Sequence, residues 1–383
     1  VLAAGKGKRL RPLTETRPKS LLPLLGKPLI AYHIELMKKL GIEDIVVVVS
    51  YLKEQIIKAV HDIATKTGVN VEFVEQRGEL GTGDAIKAVV ERYDDDIVVV
   101  YGDLYIDVDT VANVVAEAMN SGDSVVVGVK VENISRYGKL IVDGDAVVEV
   151  AEKPSEGGAG LANAGIYILK RSTAKLVEEI GVSPRGEYEL TDLIGIAYRK
   201  GYKFRVVEID RSSWQDIGYP WDLLEVLKRV LMKIRGKHVK GDVDSLTTIR
   251  GPVIIEEGAV VKGSTYIEGP VYIGRDAVVG PNSYVRPYTA IEFKAHIGFS
   301  VEVKESLVME EAHAAHLTYI GDSIVGEHVN LGAGTLIANL RFDNRTVFMN
   351  IENALIDTGR RKMGVVIGGH VKTGVNVSIM PGV

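Results

Sequence analysis

The stretch EEAHAAHLTYIGDS, residues 310–323, places His313 and His316 three apart, with Tyr319 just beyond. Three uses fit such a trio: metal ligands, a general base beside a polar partner, or solvated surface. His328 would be the third histidine of a zinc set, but no nearby acid completes a recognisable spacing. A histidine titrates near neutrality, so the base reading needs only a substrate proton to remove. At the other end, LAAGKGKRLRPLTETRPKSLLP (2–23) carries Gly5 and Gly7, with Arg9, Arg11, Arg17 and Lys19 close behind. Glycines let a backbone approach a polyphosphate, and its N–H groups and the nearby cations suit phosphate oxygens. The loop is not a P-loop, because G-x-x-x-x-G-K-[ST] is absent. Nor is it a dinucleotide fingerprint, since Leu10 stands where a third glycine belongs.

Those residues need a scaffold, and the chain supplies two kinds. Residues 1–230 alternate strands and helices: a helix opened by Pro28 and closed by Gly41, then the strand DIVVVVS (44–50), a helix at 53–66, the strand VNVEFVE (69–75), a helix from Thr82, and the strand DIVVVYGD (96–103). Continuous β-branched strands between helices predict an α/β fold with a doubly wound, Rossmann-like, mostly parallel sheet. Ligands bind beyond the carboxyl ends of such strands, where Gly5–Arg9, Gly81–Asp84 and Gly102–Asp103 fall. From residue 251 to 383 aliphatic residues recur every sixth position, at Ile255, Val261, Ile267, Ile273, Val279, Val285, Ile291, Ile297 and Val303. The rhythm stumbles at the histidine stretch, returns at Val325, Leu331 and Ile337, and again at Ile367. A short fixed repeat predicts a solenoid. Residues 338–364 read as a polar insertion looped out of one coil, and 231–250 as a linker.

The 383 residues exceed what one core holds, which agrees with two domains. A net charge of −5 offers no basic field for nucleic acid, and no apolar run is long enough to span a membrane. Cysteine is absent, so disulfides, thiolate zinc sites and cysteine nucleophiles are excluded together. A cytoplasmic protein is expected. Four residues before Gly5 are few for a buried strand, and SIMPGV ends inside the repeat, so a longer natural chain is expected at each end.

The first half resembles the sugar-1-phosphate nucleotidylyltransferases, through LAAGKGKRL, GTGDAI (81–86), YGDLYID (101–107), RYGKL (136–140), VAEKP (150–154), NAGIYIL (163–169) and WQDIGYPWDLL (214–224). Lys8 stands where many members carry a small hydroxyl residue. The resemblance implies that Gly5, Gly7, Arg9 and Lys19 bind the triphosphate, with Arg9 and Lys19 catalytic. It places the base on Gln76, Gly81 and Thr82, Mg²⁺ on Asp103 and Asp216, and the sugar phosphate on Gly138, Glu152, Lys153 and Asn163. The second half resembles hexapeptide-repeat acyltransferases of the left-handed parallel β-helix type. The combination resembles the bifunctional enzymes that acetylate an amino-sugar 1-phosphate and then make its nucleotide sugar. YVRPYT (284–289), SVEVKES (300–306), AHLTYIGDS (315–323), VNLGAGTLIAN (329–339) and IGGHV (367–371) carry that likeness. It implies His316 as general base, with Arg286, Lys304, Tyr319, Asn330, Asn339 and Arg345 on the amino sugar phosphate, and Ala333 and Gly369 on acetyl-CoA. Backbone N–H groups near Gly332–Gly334 are candidate oxyanion donors. A homotrimer assembled through the β-helix is also implied. The alternatives are a glucose-1-phosphate thymidylyl- or uridylyltransferase with a purely structural solenoid, and a silent nucleotide-sugar-binding scaffold.

Overall fold

The computed structural model describes every residue except Glu79 and Glu156. The chain forms two compact units: Val1–Lys6, Pro18–Leu21 and Pro28–Asp216 make the first, and Gly7–Arg17, Leu22–Lys27 and Ile217–Val383 the second.

In the first unit, Pro28 precedes the helix Leu29–Lys39, whose fixed φ suits a helix start, and Gly41 leaves it at φ +76°. Its inward positions Leu29, Ile30, His33, Ile34, Leu36 and Met37 are buried. The strands Asp44–Val49 and Asn70–Glu75 run parallel, and Leu2 forms parallel bridges to both Val48 and Tyr101. The four residues before Gly5 thus do enter the sheet, through Ala3 N–H to Val48 O at 2.8 Å and Gly102 N–H to Leu2 O at 2.8 Å. Gly160–Leu169 lies antiparallel between Ile97–Val100 and Ser124–Val131, and Phe204–Ile209 runs parallel beside the latter. The sheet is therefore mixed, with one reversed strand in its middle. Gly138–Asp143 and Ala146–Glu152 form a hairpin at its far edge.

The second unit holds three sheets of seven, six and seven strands. The strands in them pair in parallel, about eighteen residues on, as Val253, Val271 and Thr289 do, except across the inserted segment, where Val325 pairs with Ile367 and Ile337 with Ile379. That is a parallel β-helix of three short strands per coil. All nine aliphatic repeat residues from Ile255 to Val303 are at most 1% exposed. Burying such a side chain contributes roughly 1.5–3 kcal/mol, which is why the sixth position is so restricted while its neighbours vary.

The linker expectation meets a different arrangement. From Lys237 the chain already forms a first coil, with Lys237–Val239, Asp242–Val243 and Thr248–Arg250 paired to the coil above. Val243 and Ile249 keep the six-residue rhythm but are only partly buried, because an end coil is covered on one side alone. Its Lys, Arg and Asp residues hid the rhythm. At the histidine stretch the coil shortens from eighteen residues to seventeen: Val303 pairs with Ile320 and Val308 with Val325. The residue is lost at one corner, where Ser323 N–H donates to Ser306 Oγ at 3.0 Å. The polar segment 338–364 leaves the next coil at the same corner and folds as an antiparallel hairpin, Phe348–Ile351 with Ala354–Asp357.

Candidate functional sites

In the first unit the expected residues gather beyond the carboxyl ends of the strands. Asp103 follows Ile97–Val100, and Lys19 Nζ donates to its Oδ2 at 2.7 Å. Burial opposes ionisation of Asp103, but Lys19 outweighs it and holds the carboxyl below the usual carboxylate range. Trp214–Asp216 pairs antiparallel with Leu104–Ile106, so that Asp216 stands opposite Leu104. Asp103, in the turn that leads into Leu104–Ile106, and Asp216, at the end of the partner strand, are two carboxylates of the kind a hard cation takes as oxygen ligands and shares with phosphates. Among the described residues no larger set of metal-ligating side chains occurs.

Gln76 caps the strand Asn70–Glu75, and its Nε2 donates to Gly81 O at 2.8 Å and to Asp84 Oδ2 at 2.9 Å. Gly81 has φ +95°, and a Cβ there would lie 2.5 Å from Tyr188 O. Only glycine fits that turn, which delivers Thr82 as the first residue of the helix Thr82–Val90. Thr82 Oγ1 accepts Leu190 N–H at 3.0 Å, and the helix dipole gives this end partial positive charge.

The sugar-site expectations also converge. Gly138 and Glu152 are directly paired across the hairpin, and a Cβ on Gly138 would come within 3.1 Å of Glu152 Oε1. That oxygen accepts Thr191 Oγ1 at 3.0 Å, and Arg185 lies 3.5 Å from Oε2. Burial raises the Glu152 carboxyl above its usual range, the Thr191 bond opposing it. Asn163 donates to Tyr167 Oη at 2.5 Å, and its Oδ1 accepts Gly165 N–H at 3.0 Å. Tyr167 in turn meets Tyr101 Oη at 3.4 Å. Lys153 follows Glu152 with φ +44°, at the exit of the hairpin. Asp84, Arg185, Thr191 and the two tyrosines escaped the sequence reading. Asp84 inside GTGDAI, Tyr101 inside YGDLYID and Tyr167 inside NAGIYIL were within reach of a motif, whereas Arg185 and Thr191 were not.

Gly5 is exposed in the first unit. Gly7 adopts φ +62°, and its carbonyl accepts Thr14 Oγ1 at 2.8 Å in the second. The Arg9 guanidinium lies 5.1 Å above the Tyr219 ring, which stacks on Trp221 at 4.6 Å. A cation over an aromatic face keeps its charge while its planar orientation is set. Tyr219 begins the helix Pro220–Leu231, where Asp222 accepts the Gly218 and Tyr219 N–H groups at 3.0 and 2.8 Å. Arg17, grouped in the sequence with the phosphate cations, is directed elsewhere. It pairs with Glu310, and its Nε lies 3.7 Å from Glu327 Oε2.

Glu292 belongs to the same corner of the β-helix. It is 2% exposed, and its Oε2 accepts Gly26 N–H at 2.8 Å. Burial pushes its carboxyl up from 4.5 to about 7, despite the Gly26 and Leu25 N–H groups and the Arg17 charge. Arg17 and Tyr272, whose hydroxyl reaches Gly26, are also near it. A raised carboxyl favours the fold below the unfolded value of 4.5 and loses that advantage as pH rises through 7. The loss amounts to about 3 kcal/mol between those limits. Glu292→Gln is therefore expected to gain stability relative to wild type at pH 8 compared with pH 5, read from denaturant unfolding at both. An identical difference at the two pH values contradicts the titration.

On the β-helix, Lys304, Tyr319 and Asn339 converge on Asp322, which is 1% exposed. Lys304 Nζ donates to Asp322 Oδ2 at 3.1 Å, and Asn339 Nδ2 donates to Asp322 at 2.5 Å and to Tyr319 Oη at 3.2 Å. Arg360 of the inserted segment approaches Asp322 at 3.7 Å. Asp322 was visible inside YIGDS, whereas nothing in the sequence singled out Arg360. Arg286 donates to Glu302 at 2.9 Å, and Glu302 is in register with Tyr319. His316 is exposed at the end of the strand His313–His316, and its carbonyl accepts Thr318 Oγ1 at 2.8 Å and Gly334 N–H at 3.3 Å. Asn330 is placed apart from the Asp322 group, in register with His313. Arg345 is exposed on the insertion, its N–H donating to Asp343 Oδ1 at 3.1 Å. His313 meets His296 at 5.8 Å, and His328 stacks on His370 at 4.9 Å. The histidines thus pair up the solenoid, coil on coil, rather than with each other along the stretch.

The oxyanion expectation is corrected at two of its three positions. Gly332 N–H donates to Thr373 Oγ1 at 2.9 Å, and Gly334 N–H to the His316 carbonyl. Ala333 O accepts Asn376 N–H at 2.8 Å. Gly369 lies against Glu327 and Thr16, where a Cβ would come within 2.6 Å.

Residues 1–233 match the nucleotidyl transferase family, and 267–383 match the GMPPB C-terminal domain. A bifunctional sugar-1-phosphate nucleotidylyltransferase/acetyltransferase of Sulfurisphaera tokodaii is 45% identical over the whole chain and 92% of its own length. A bifunctional protein GlmU of Methanocaldococcus jannaschii is 40% identical over the whole chain and 90% of its own. A solved structure from Bacillus anthracis, provisionally described as a glucose-1-phosphate thymidylyltransferase, in complex with sucrose, matches 58% of this chain and 91% of that one, at 26% identity and a TM-score of 0.52. This chain is a transferase that belongs to the nucleotidyl transferase family and, over its full length, to the bifunctional sugar-1-phosphate nucleotidylyltransferase/acetyltransferases.

Proposed function

We propose that the first site joins N-acetylglucosamine 1-phosphate, or glucose 1-phosphate, to the nucleotidyl group of UTP or dTTP, and that the β-helix acetylates glucosamine 1-phosphate from acetyl-CoA. The observation that carries the first activity is Asp103 at the turn into Leu104–Ile106 with Asp216 at the end of the strand paired to it, and Lys19 on Asp103. A sugar phosphate oxygen attacks the α-phosphorus, the bond to the pyrophosphate bridge breaks, and pyrophosphate leaves. The attacking group is already anionic, so no protein nucleophile or base is needed. Lys19 and Arg9 supply fixed positive charge, and positioning does most of the work. Asp103 and Asp216 would hold Mg²⁺, which when bound neutralises phosphate charge. Glu152, Gly138 and Asn163 would face the sugar, with Lys153 beside them, and Gln76, Gly81 and Thr82 the base.

For acetyl transfer, the amine attacks the thioester carbonyl, the C–N bond forms, the C–S bond breaks, and the thiol leaves. His316 is exposed and would take the amine's proton. Lys304, Tyr319 and Asn339, preorganised on Asp322, would receive the sugar phosphate with Arg286. Asn330, Arg345, Ala333 and Gly369 are proposed contacts that lie outside this group. Mg²⁺, acetyl-CoA and a homotrimer are the finer parts of this reading.

A matrix of UTP, dTTP, CTP, GTP and ATP against sugar 1-phosphates, scored for pyrophosphate, and of acetyl-CoA against amino-sugar 1-phosphates, scored for free thiol, tests both halves. No pyrophosphate in any well removes the first assignment. No thiol release removes the second and leaves the β-helix structural.

A further inference from the structure

We propose that Arg17 is a positioning residue for nucleotidyl transfer: it clamps the segment Gly7–Arg17, which carries Gly7 and Arg9, onto a ladder of three glutamates at one corner of the β-helix. The proposal rests on the nucleotidylyl reading above. The ladder is built by the repeat itself. Glu292, Glu310 and Glu327 each follow, by one or two residues, the consecutive strands Thr289–Ile291, Leu307–Val308 and Ile324–Val325, which stack in one sheet. Arg17, 14% exposed, enters this ladder with Glu310 against its Nη2 and Glu327 beside its Nε. Thr16 adds a bond to Glu327 Oε1 at 2.6 Å.

From that anchor the path to the loop is short. Leu13 and Thr14 are buried, and Thr14 Oγ1 holds the Gly7 carbonyl at 2.8 Å. Pro12 lies on the coil at Gly368, where a Cβ would be 2.9 Å from the Pro12 ring. Downstream, Glu292 takes the Gly26 N–H. A buried carboxylate without a cation is costly, so Glu327, 6% exposed, and Glu310 above it hold the one guanidinium and leave it little freedom for a substrate phosphate. The consequence is that the geometry of Gly7 and Arg9 depends on the integrity of the β-helix.

The test uses the full-length protein and the variants Arg17→Met, Arg17→Lys and Glu310→Gln, with UTP and dTTP as probes. Pyrophosphate release gives KM and kcat, acetyl transfer reports an intact β-helix, and hydrogen exchange reports the order of residues 7–17. Arg17→Met is expected to raise the KM for the triphosphate about tenfold or more, affect kcat less, and speed exchange in 7–17. Arg17→Lys should recover part of the KM, since the charge remains. Glu310→Gln should also raise it. If Arg17 instead bound the triphosphate directly, Glu310→Gln would release it and lower the KM, and the clamp would be refuted. An unchanged KM in Arg17→Met, with unchanged exchange, refutes it as well. If Arg17→Met loses both activities by misfolding, the milder Lys and Gln variants decide. If the wild type itself releases no pyrophosphate, the nucleotidylyl reading fails, and unchanged exchange at 7–17 would separately refute the clamp.

Discussion

Asp103→Ala is expected to reduce pyrophosphate release by at least about 10²–10³-fold, the cost of removing one preorganised charge-stabilising group, while acetyl transfer stays unchanged. The reason is local. The carboxylate holds Lys19 at 2.7 Å and stands one residue from the position opposite Asp216. On the proposed reading its removal would lose one oxygen ligand for a cation, and it also frees the Lys19 ammonium from its orientation. Adding Mg²⁺ should not restore the rate, because one carboxylate alone binds the ion weakly beside a mobile lysine. Asp103→Asn separates the two losses: it keeps a hydrogen-bond acceptor for Lys19 but not the charge. Near-normal turnover in either variant would remove Asp103 from the reaction.

His316→Ala is expected to lower free-thiol release from acetyl-CoA by about 10²–10⁴-fold, the usual contribution of a positioned general base, and to leave pyrophosphate release unaffected. His316 sits at the surface end of its strand, with only its backbone engaged in the bonds described. Its truncation should cost little stability, so a lost activity reads as lost chemistry. His313→Ala is the internal control. It lies in the same strand against His296, and it should retain the activity. Equal activity of the His316 variant and the wild type would leave the proton with another group.

Much of the architecture was legible because both halves are periodic. The parallel strands Asp44–Val49 and Asn70–Glu75 were read from continuous β-branched residues, since a strand covered on both faces leaves no room for polar ones. The coils from Ile255 to Val303 were read from a repeat that buries every sixth side chain completely. The first coil, at 237–250, was read as a linker because an end coil buries only half as much and tolerates charge. Glycine turns were equally legible: at Gly81 a side chain would strike the Tyr188 carbonyl, so the residue type records the conformation.

What composition and spacing alone determined about this protein is which residue types must lie inside, where backbone must turn tightly, and which charged groups are available. The tertiary structure decided how those charges are used. Arg17, Lys19 and Arg9 lie within ten positions of one another and look equivalent in sequence. Folded, Lys19 meets Asp103, Arg9 lies over Tyr219, and Arg17 is taken by glutamates about three hundred residues away. Asp322 likewise became the centre of its cluster only when one corner stacked Lys304, Tyr319 and Asn339 around it. Burial follows from local pattern, because each side chain carries its own preference for water. Pairing of charges does not, because Coulomb attraction acts between whichever partners the chain brings within a few ångströms, however far apart they stand in sequence.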